Sequence, residues 1–301
     1  MLFIIKECLM CCQYSPPPPR KLNSTISCNE ARNGFSLVEL SIVLLIIGML
    51  VSGVLVGRDM IRAAELRSIT TQADQIYVSI NLFKDKYMSL PGDMTNATEF
   101  WGAADGNDGL GNDCRDATSV GTTTCNGNDN DWLDGDAPPY SMALAHEAPE
   151  WFHSWVHLKN AGLIQGSYTG IRTQDPRQAT PGVNIPQGKN GKVGFTLMSL
   201  INPDVLPLAD WYKGNYKLVL VIGSESSGYE SQAPAFSASE VWNIDKKVDD
   251  AMPGNGIIRT YVDNTDCLSS TNNADYMTAT YNLTSSKQAC AILYSYIDPG
   301  H

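Results

Sequence analysis

The chain has 301 residues, with 21 Lys and Arg against 32 Asp and Glu, so its formal net charge is −11. A balance this acidic argues against nucleic-acid binding through a basic surface, and a solvated acidic exterior explains it without an acidic ligand. The length is ample for one large domain once leader and anchor segments are set aside.

Residues 1–34 read as a leader. Met1 to Cys12 is apolar but too short to span a bilayer, and Pro16 to Pro19 form a stiff extended segment. Lys6, Arg20, Lys21 and Arg32 outnumber Glu7 and Glu30, so the remainder is more acidic than the whole.

From Phe35 to Val56 the only ionisable residue is Glu39. A helix over this stretch is about 33 Å long, enough to cross the hydrocarbon core of a membrane. A carboxylate at the centre of such a helix costs roughly 2.5–3.5 kcal/mol, so one that is present calls for a partner and a function. A cut between Gly34 and Phe35 would supply that partner, by placing a new α-amino group one helical turn from Glu39. Between staggered chains, the carboxylate of one would neutralise the terminal amine of the next. The segment then acts as an assembly device as well as an anchor.

Gly34-Phe35-Ser36-Leu37-Val38-Glu39, followed by this apolar run, resembles the prepilin cleavage and methylation motif of type IV pilins and type II secretion pseudopilins. The resemblance implies an inner-membrane prepilin peptidase that cuts after Gly34 and methylates the amine of Phe35, with Glu39 as the assembly residue. It implies pilin-like subunits, of this chain or of others, and an inner-membrane assembly platform as partners. It also implies a single-pass inner-membrane location, with the head in the periplasm or on an extracellular filament. Charge alone leaves the orientation open, because Arg20, Lys21 and Arg32 before the span are matched by Arg58, Arg62 and Arg67 after it.

The helical pattern continues beyond the apolar run. Ile69, Ala73, Ile76, Ile80, Phe83 and Tyr87 recur in steps of four and three, marking one face of an amphipathic helix. No proline interrupts residues 35–90, and Pro91-Gly92 ends the run. Gly53 and Gly57 flank Val56, and each weakens a helix by about 1 kcal/mol. The expected divisions are therefore a leader (1–34), a transmembrane and assembly helix (35–56), its amphipathic continuation (57–90) and a globular head (91–301).

Residues 93–145 are rich in Gly, Asp, Asn and Thr and read as a long irregular insertion. Two acidic stretches in it have the oxygen-rich composition that calcium uses. One contains Asp105, Asn107 and Asp113, and the other Asn128, Asp131 and Asp134. Neither fits an EF-hand, because the bidentate Glu is absent, and the alternative is a soluble surface loop pinned by a Cys114–Cys125 bridge. Calcium is the cofactor these stretches would hold.

His153 and His157 lie four apart on a helix expected from Pro149 to Gly162, with Trp151, Trp155 and Leu158 on one face. With His146 nearby, the spacing allows zinc, but partly exposed helix positions are the default expectation. The strand-length runs are 193–200, 216–222, 256–262 and 289–297.

Of eight cysteines, Cys114, Cys125, Cys267 and Cys290 lie beyond the apolar run. Four cysteines allow three pairings, and Cys114–Cys125 with Cys267–Cys290 is expected because each closes a short loop. Zinc is the rival reading, yet no Cys-x-x-Cys occurs outside the leader. Disulfides place this part in an oxidising compartment. No Gly-x-Ser-x-Gly elbow, phosphate loop or dinucleotide fingerprint is present, and no enzyme activity is expected.

The expected fold is α+β and pilin-like, a long N-terminal helix packed by its second half on an antiparallel sheet with a large loop insertion. The expected function is a filament subunit, either a type II secretion pseudopilin or a type IV pilin. The alternative is a signal-anchored periplasmic binding module, with or without calcium, that does not polymerise.

Overall fold

In the computed structural model, the described residues are 35–104, 123–133, 150–170, 179–200, 216–226, 231–261, 264–271, 275 and 277–295. Residues 1–34, read above as a leader, and most of the stretch read as an insertion lie outside them. The chain divides into two compact units, one ending at Leu55 and the other running from Val56.

Helix α1 covers Leu37–Tyr87 without a break, so Gly53 and Gly57 stay helical. It stops three residues before the expected end at Leu90. Met88 takes a left-handed φ of 57°, which ends the repeat, and its N–H still reaches the Lys84 carbonyl. Lys84 and Lys86 in the last turn favour this end electrostatically. In the first unit every described side chain is exposed, including Leu44, Leu45, Ile46 and Leu50.

In the second unit the same helix becomes a core element. Ile69, Ala73, Ile76, Ile80 and Phe83 are buried as the periodicity predicts, while Tyr87 is half-buried. They pack with Phe195 and Leu197, Leu218, Leu220 and Ile222, and Ile292 in one cluster. Burying each of the Ile, Leu and Phe side chains is worth about 1.5–3 kcal/mol. Polar contacts fix the register: the Tyr294 hydroxyl donates to Asp74 Oδ1 at 2.7 Å, and Arg62 grips Glu240.

The main sheet is antiparallel, with spatial order β1 (Val193–Leu200), β2 (Tyr216–Ser224), β6 (Ile292–Tyr294), β4 (Ile258–Thr260). Alternation separates its two faces: Leu218, Leu220 and Ile222 join the helix-side cluster, while Val219, Val221 and Leu293 meet Met198 and Tyr261 opposite. The run 289–297, read as one strand, is two. β5 (Gln288–Cys290) pairs with β3 (Phe236–Ser237) in a separate small sheet, and β6 starts after Ala291. Ala291 makes the break, giving its carbonyl to Tyr261 N–H. Likewise β4 is only the centre of the expected run 256–262.

Helix α3 spans Glu150–Asn160, and Gly162 closes it with a φ of 75°. Leu163 N–H reaches the Leu158 carbonyl and Gly162 N–H the Lys159 carbonyl, the paired bonds of a Schellman cap. Two helices were not anticipated. The five-residue α2 (Ala97–Trp101) lies inside the stretch read as irregular, and α4 spans Ala238–Val248.

Candidate functional site

At the start of α1 the Ser36 N–H donates to Glu39 Oε2 at 2.9 Å. The Ser36 hydroxyl accepts the Val38 N–H at 3.3 Å, and the Leu40 N–H closes the first turn on the Ser36 carbonyl at 3.2 Å. These bonds satisfy donors that a helix N-terminus otherwise leaves free. Glu39 is therefore anchored by its own chain, in a segment with no protein cover: α1 is long and apolar enough to cross a membrane, and none of its apolar window is buried. Phe35, fully displayed ahead of the helix, is 89% exposed. Reading Glu39 as a lone carboxylate passed over the Ser-x-x-Glu spacing that signals this cap.

Two of the six residues considered for calcium, Asn128 and Asp131, are described, and both are exposed. Asp105, Asn107, Asp113 and Asp134 lie outside the described residues. The segment 125–133 is held by groups from elsewhere. Buried Asp93 accepts the Asn130 N–H at 3.2 Å and the Asp131 N–H at 2.9 Å, while buried Glu150 accepts the Asn128 N–H at 3.2 Å. Asn128 Oδ1 is turned back onto the Asn130 N–H, a local turn contact. Burial pushes the Asp93 carboxyl up to about 6, against the pull of its backbone donors.

His153 and His157 are buried, contrary to the expectation of partly exposed positions. The sequence placed them on the helix correctly, but α3 is enclosed nearly all round. His157 bonds Gly92 and Cys125, and burial drives its pKa down to about 4. His153 is driven down to about 3 by burial and by His157, and among the described residues neither of its ring nitrogens has a hydrogen-bond partner. His157 spends both nitrogens on backbone groups, which is not the arrangement of a zinc pair. His146 lies outside the described residues.

A third acidic group escaped the sequence reading. Asp245, Asp249 and Asp250 bring carboxylate oxygens within 4.8 Å of one another at the C-terminal end of α4. Protein donors surround them. Asp245 accepts the Tyr281 hydroxyl at 2.7 Å and the Ala251 N–H at 3.0 Å. Asp249 accepts the Ile257 and Ile258 N–H groups, and Asp250 those of Met252 and the Asn255 amide. Burial, reinforced by Asp250 and Asp249, lifts the Asp245 carboxyl to about 7. Asp-x-x-x-Asp-Asp at a helix end is the signal that reveals it. Calcium wants six to eight oxygens, and this trio already spends its own on backbone and side-chain donors, so the residues do not fit a ready-made calcium cage.

Cys267 and Cys290 form a disulfide, with Cα atoms 5.3 Å apart. Cys125 is also disulfide-bonded, while Cys114 lies outside the described residues. The bond between Cys267 and Cys290 rules out their use as zinc ligands.

Mixed helix and antiparallel sheet, a long helix whose apolar first part is uncovered and carries a capped carboxylate in its first turn, and a disulfide-tied second unit define the class: an α+β protein with a candidate membrane-spanning segment. No family model, curated protein or solved structure matches this chain.

Proposed function

We propose that this chain is a structural subunit of a pilin-like filament, cut after Gly34, methylated on Phe35 and polymerised through the helix that begins there. The observation that carries the reading is the uncovered apolar first part of α1, whose one ionisable residue, Glu39, stands at the offset from Gly34-Phe35 that the prepilin motif requires.

The mechanism is mechanical. The apolar segment stores the subunit in the inner membrane with the second unit in the periplasm, and a peptidase frees the Phe35 amine. Glu39 of the stored chain then pairs with a neighbour's amine at the filament base. Packing of apolar helices holds the fibre, at about 25 cal/mol per Å² of apolar area taken from water. Lipid already covers that area before assembly, so extraction needs work from an assembly platform. Type II secretion pseudopilin and type IV pilin both fit this chemistry.

Mass spectrometry of the membrane-derived protein tests the proposal. A chain starting at N-methyl-Phe35 is the expected result. An intact leader on a chain that stays monomeric would instead make this a signal-anchored binding module. Glu39→Ala should be cleaved normally but enter filaments poorly.

A further inference from the structure

We propose that His153 is an acid trigger: on taking up a proton it parts α3 from the layer of backbone laid against the helix face that carries Glu150, His153 and His157. The inference stands apart from the filament reading and needs only the fold of the second unit.

The layer is built from residues 92–94 and 124–131. Gly127 N–H donates to the Met94 carbonyl at 2.8 Å and Asp129 N–H to the Asp93 carbonyl at 2.9 Å, so backbone joins the two pieces. The Asp93 carboxylate clamps them further through the Asn130 and Asp131 N–H groups. α3 meets this layer through side chains. His157 accepts the Gly92 N–H and donates to the Cys125 carbonyl, and Glu150 accepts the Asn128 N–H. Spacings of three and four place His153 between these two on one helix face. Trp155 and Leu158 join the main apolar cluster, and pH leaves those contacts alone.

His153 holds nothing there. It is 3% exposed, and among the described residues neither ring nitrogen has a hydrogen-bond partner. A neutral imidazole so placed costs stability that an apolar side chain of like volume would not, since two polar atoms are dry and unpaired. What it has and an apolar residue lacks is a proton site, one helical turn from His157. The ionisable groups around it cannot steady an imidazolium. Asp93 spends both oxygens on backbone N–H groups and takes up its own proton near pH 6. Glu150 is committed to Asn128, while Asp129 and Asp131 lie in solvent. His157, once protonated, adds a like charge. With the layer parted, the ring reaches water and regains its ordinary proton affinity. The folded value, near 3, lies below the ordinary 6.5, so acid favours parting by about tenfold for each pH unit between them.

Hydrogen exchange of the full chain in lipid nanodiscs, corrected for the intrinsic effect of pH, tests this at about pH 7 and about pH 4.5. In wild type, protection of the amides in 92–94 and 127–131 should fall by about tenfold or more on acidification, while the amides of β2 and β6 keep theirs. His153→Leu removes the trigger. It should retain about threefold more of the layer's protection than wild type at the acid pH, with an equal or higher melting temperature at neutral pH. His153→Gln keeps a polar side chain without a titrating group, and it decides the comparison if Leu does not fit. Equal acid loss in wild type and a folded variant overturns the proposal. Loss of sheet protection together with the layer also overturns it, because that is global unfolding. A marked drop in the neutral melting temperature of both variants overturns it too, by making His153 a structural residue.

Discussion

His157 Nδ1 accepts the backbone N–H of Gly92 at 2.9 Å, which leaves the proton on Nε2, 3.1 Å from the Cys125 carbonyl oxygen that accepts it. One neutral imidazole therefore ties α3 to the turn after α1 and to the segment carrying Cys125. Phe83 stacks beside the ring and Trp101 lies against it.

An imidazolium cannot accept the Gly92 N–H, so this tie is acid-sensitive. The folded pKa, near 4, is below the ordinary value of 6.5, so the folded state holds fewer protons than the unfolded chain in that window. Stability from His157 is complete above about pH 6.5 and is lost as pH falls toward 4. His157→Ala should cost about 2–4 kcal/mol at pH 7, through lost packing and an orphaned Gly92 N–H. Thermal unfolding from pH 7.5 to 4 should show a shallower acid limb in the variant.

Gly92 tests the same junction from the backbone. Its φ is +100°, and a Cβ there would meet the Glu150 carbonyl oxygen at 2.6 Å. Gly92→Ala should destabilise by about 2 kcal/mol or more, since backbone must move as well as twist. At Gly162 a Cβ meets nothing, so only the strained φ counts and Ala should cost about 1 kcal/mol. Chemical denaturation of the two variants side by side checks the difference.

Asp245 has the opposite sign to His157. Its raised folded pKa makes its contribution most favourable below the unfolded carboxylate value of 3.8, and that contribution is lost as pH rises through about 7. Asp245→Asn should therefore melt above wild type at pH 8, by a few degrees for each kcal/mol gained, with the two converging toward pH 4. The amide can still accept from Ala251 and donate to the Tyr281 oxygen. Asp93→Asn should not share the gain, because both Asp93 oxygens accept backbone N–H groups and one amide oxygen cannot serve both.

Arg62 and Glu240 form a forked, partly buried pair, and Arg62 also donates to the Ala235 carbonyl at 3.2 Å. Burial resists ionisation of Glu240, but the Arg62 and Ser237 hydrogen bonds prevail and hold its pKa below the ordinary value. Stability from Glu240 is present above about pH 4.5 and is lost as pH falls through the folded value. Arg62→Lys keeps the charge but not the fork, and should cost about 1 kcal/mol in denaturant unfolding at pH 7.

Much of the fold was legible because period and punctuation are local. The face Ile69-Ala73-Ile76-Ile80-Phe83 and strand β1 follow from spacing alone. Helix α4 was passed over although Ser237 and Glu240 carry its capping signature, because its apolar positions are few. The split at Ala291 was invisible, since both halves look like strand and only pairing partners separate them. Asp93 and Glu150 could not be told from solvated acids, because their burial is set by residues distant in sequence. The carboxylate trio carries an Asp-x-x-x-Asp-Asp spacing, but that spacing has meaning only once α4 is known to end there.

Strand β6 lies between β2 and β4, although it follows both in the chain. During synthesis the segment around Leu293 emerges last, and among the described strands it is the one that pairs with β4. The candidate membrane-spanning run of α1 is thus synthesised well before the strand that completes the main sheet.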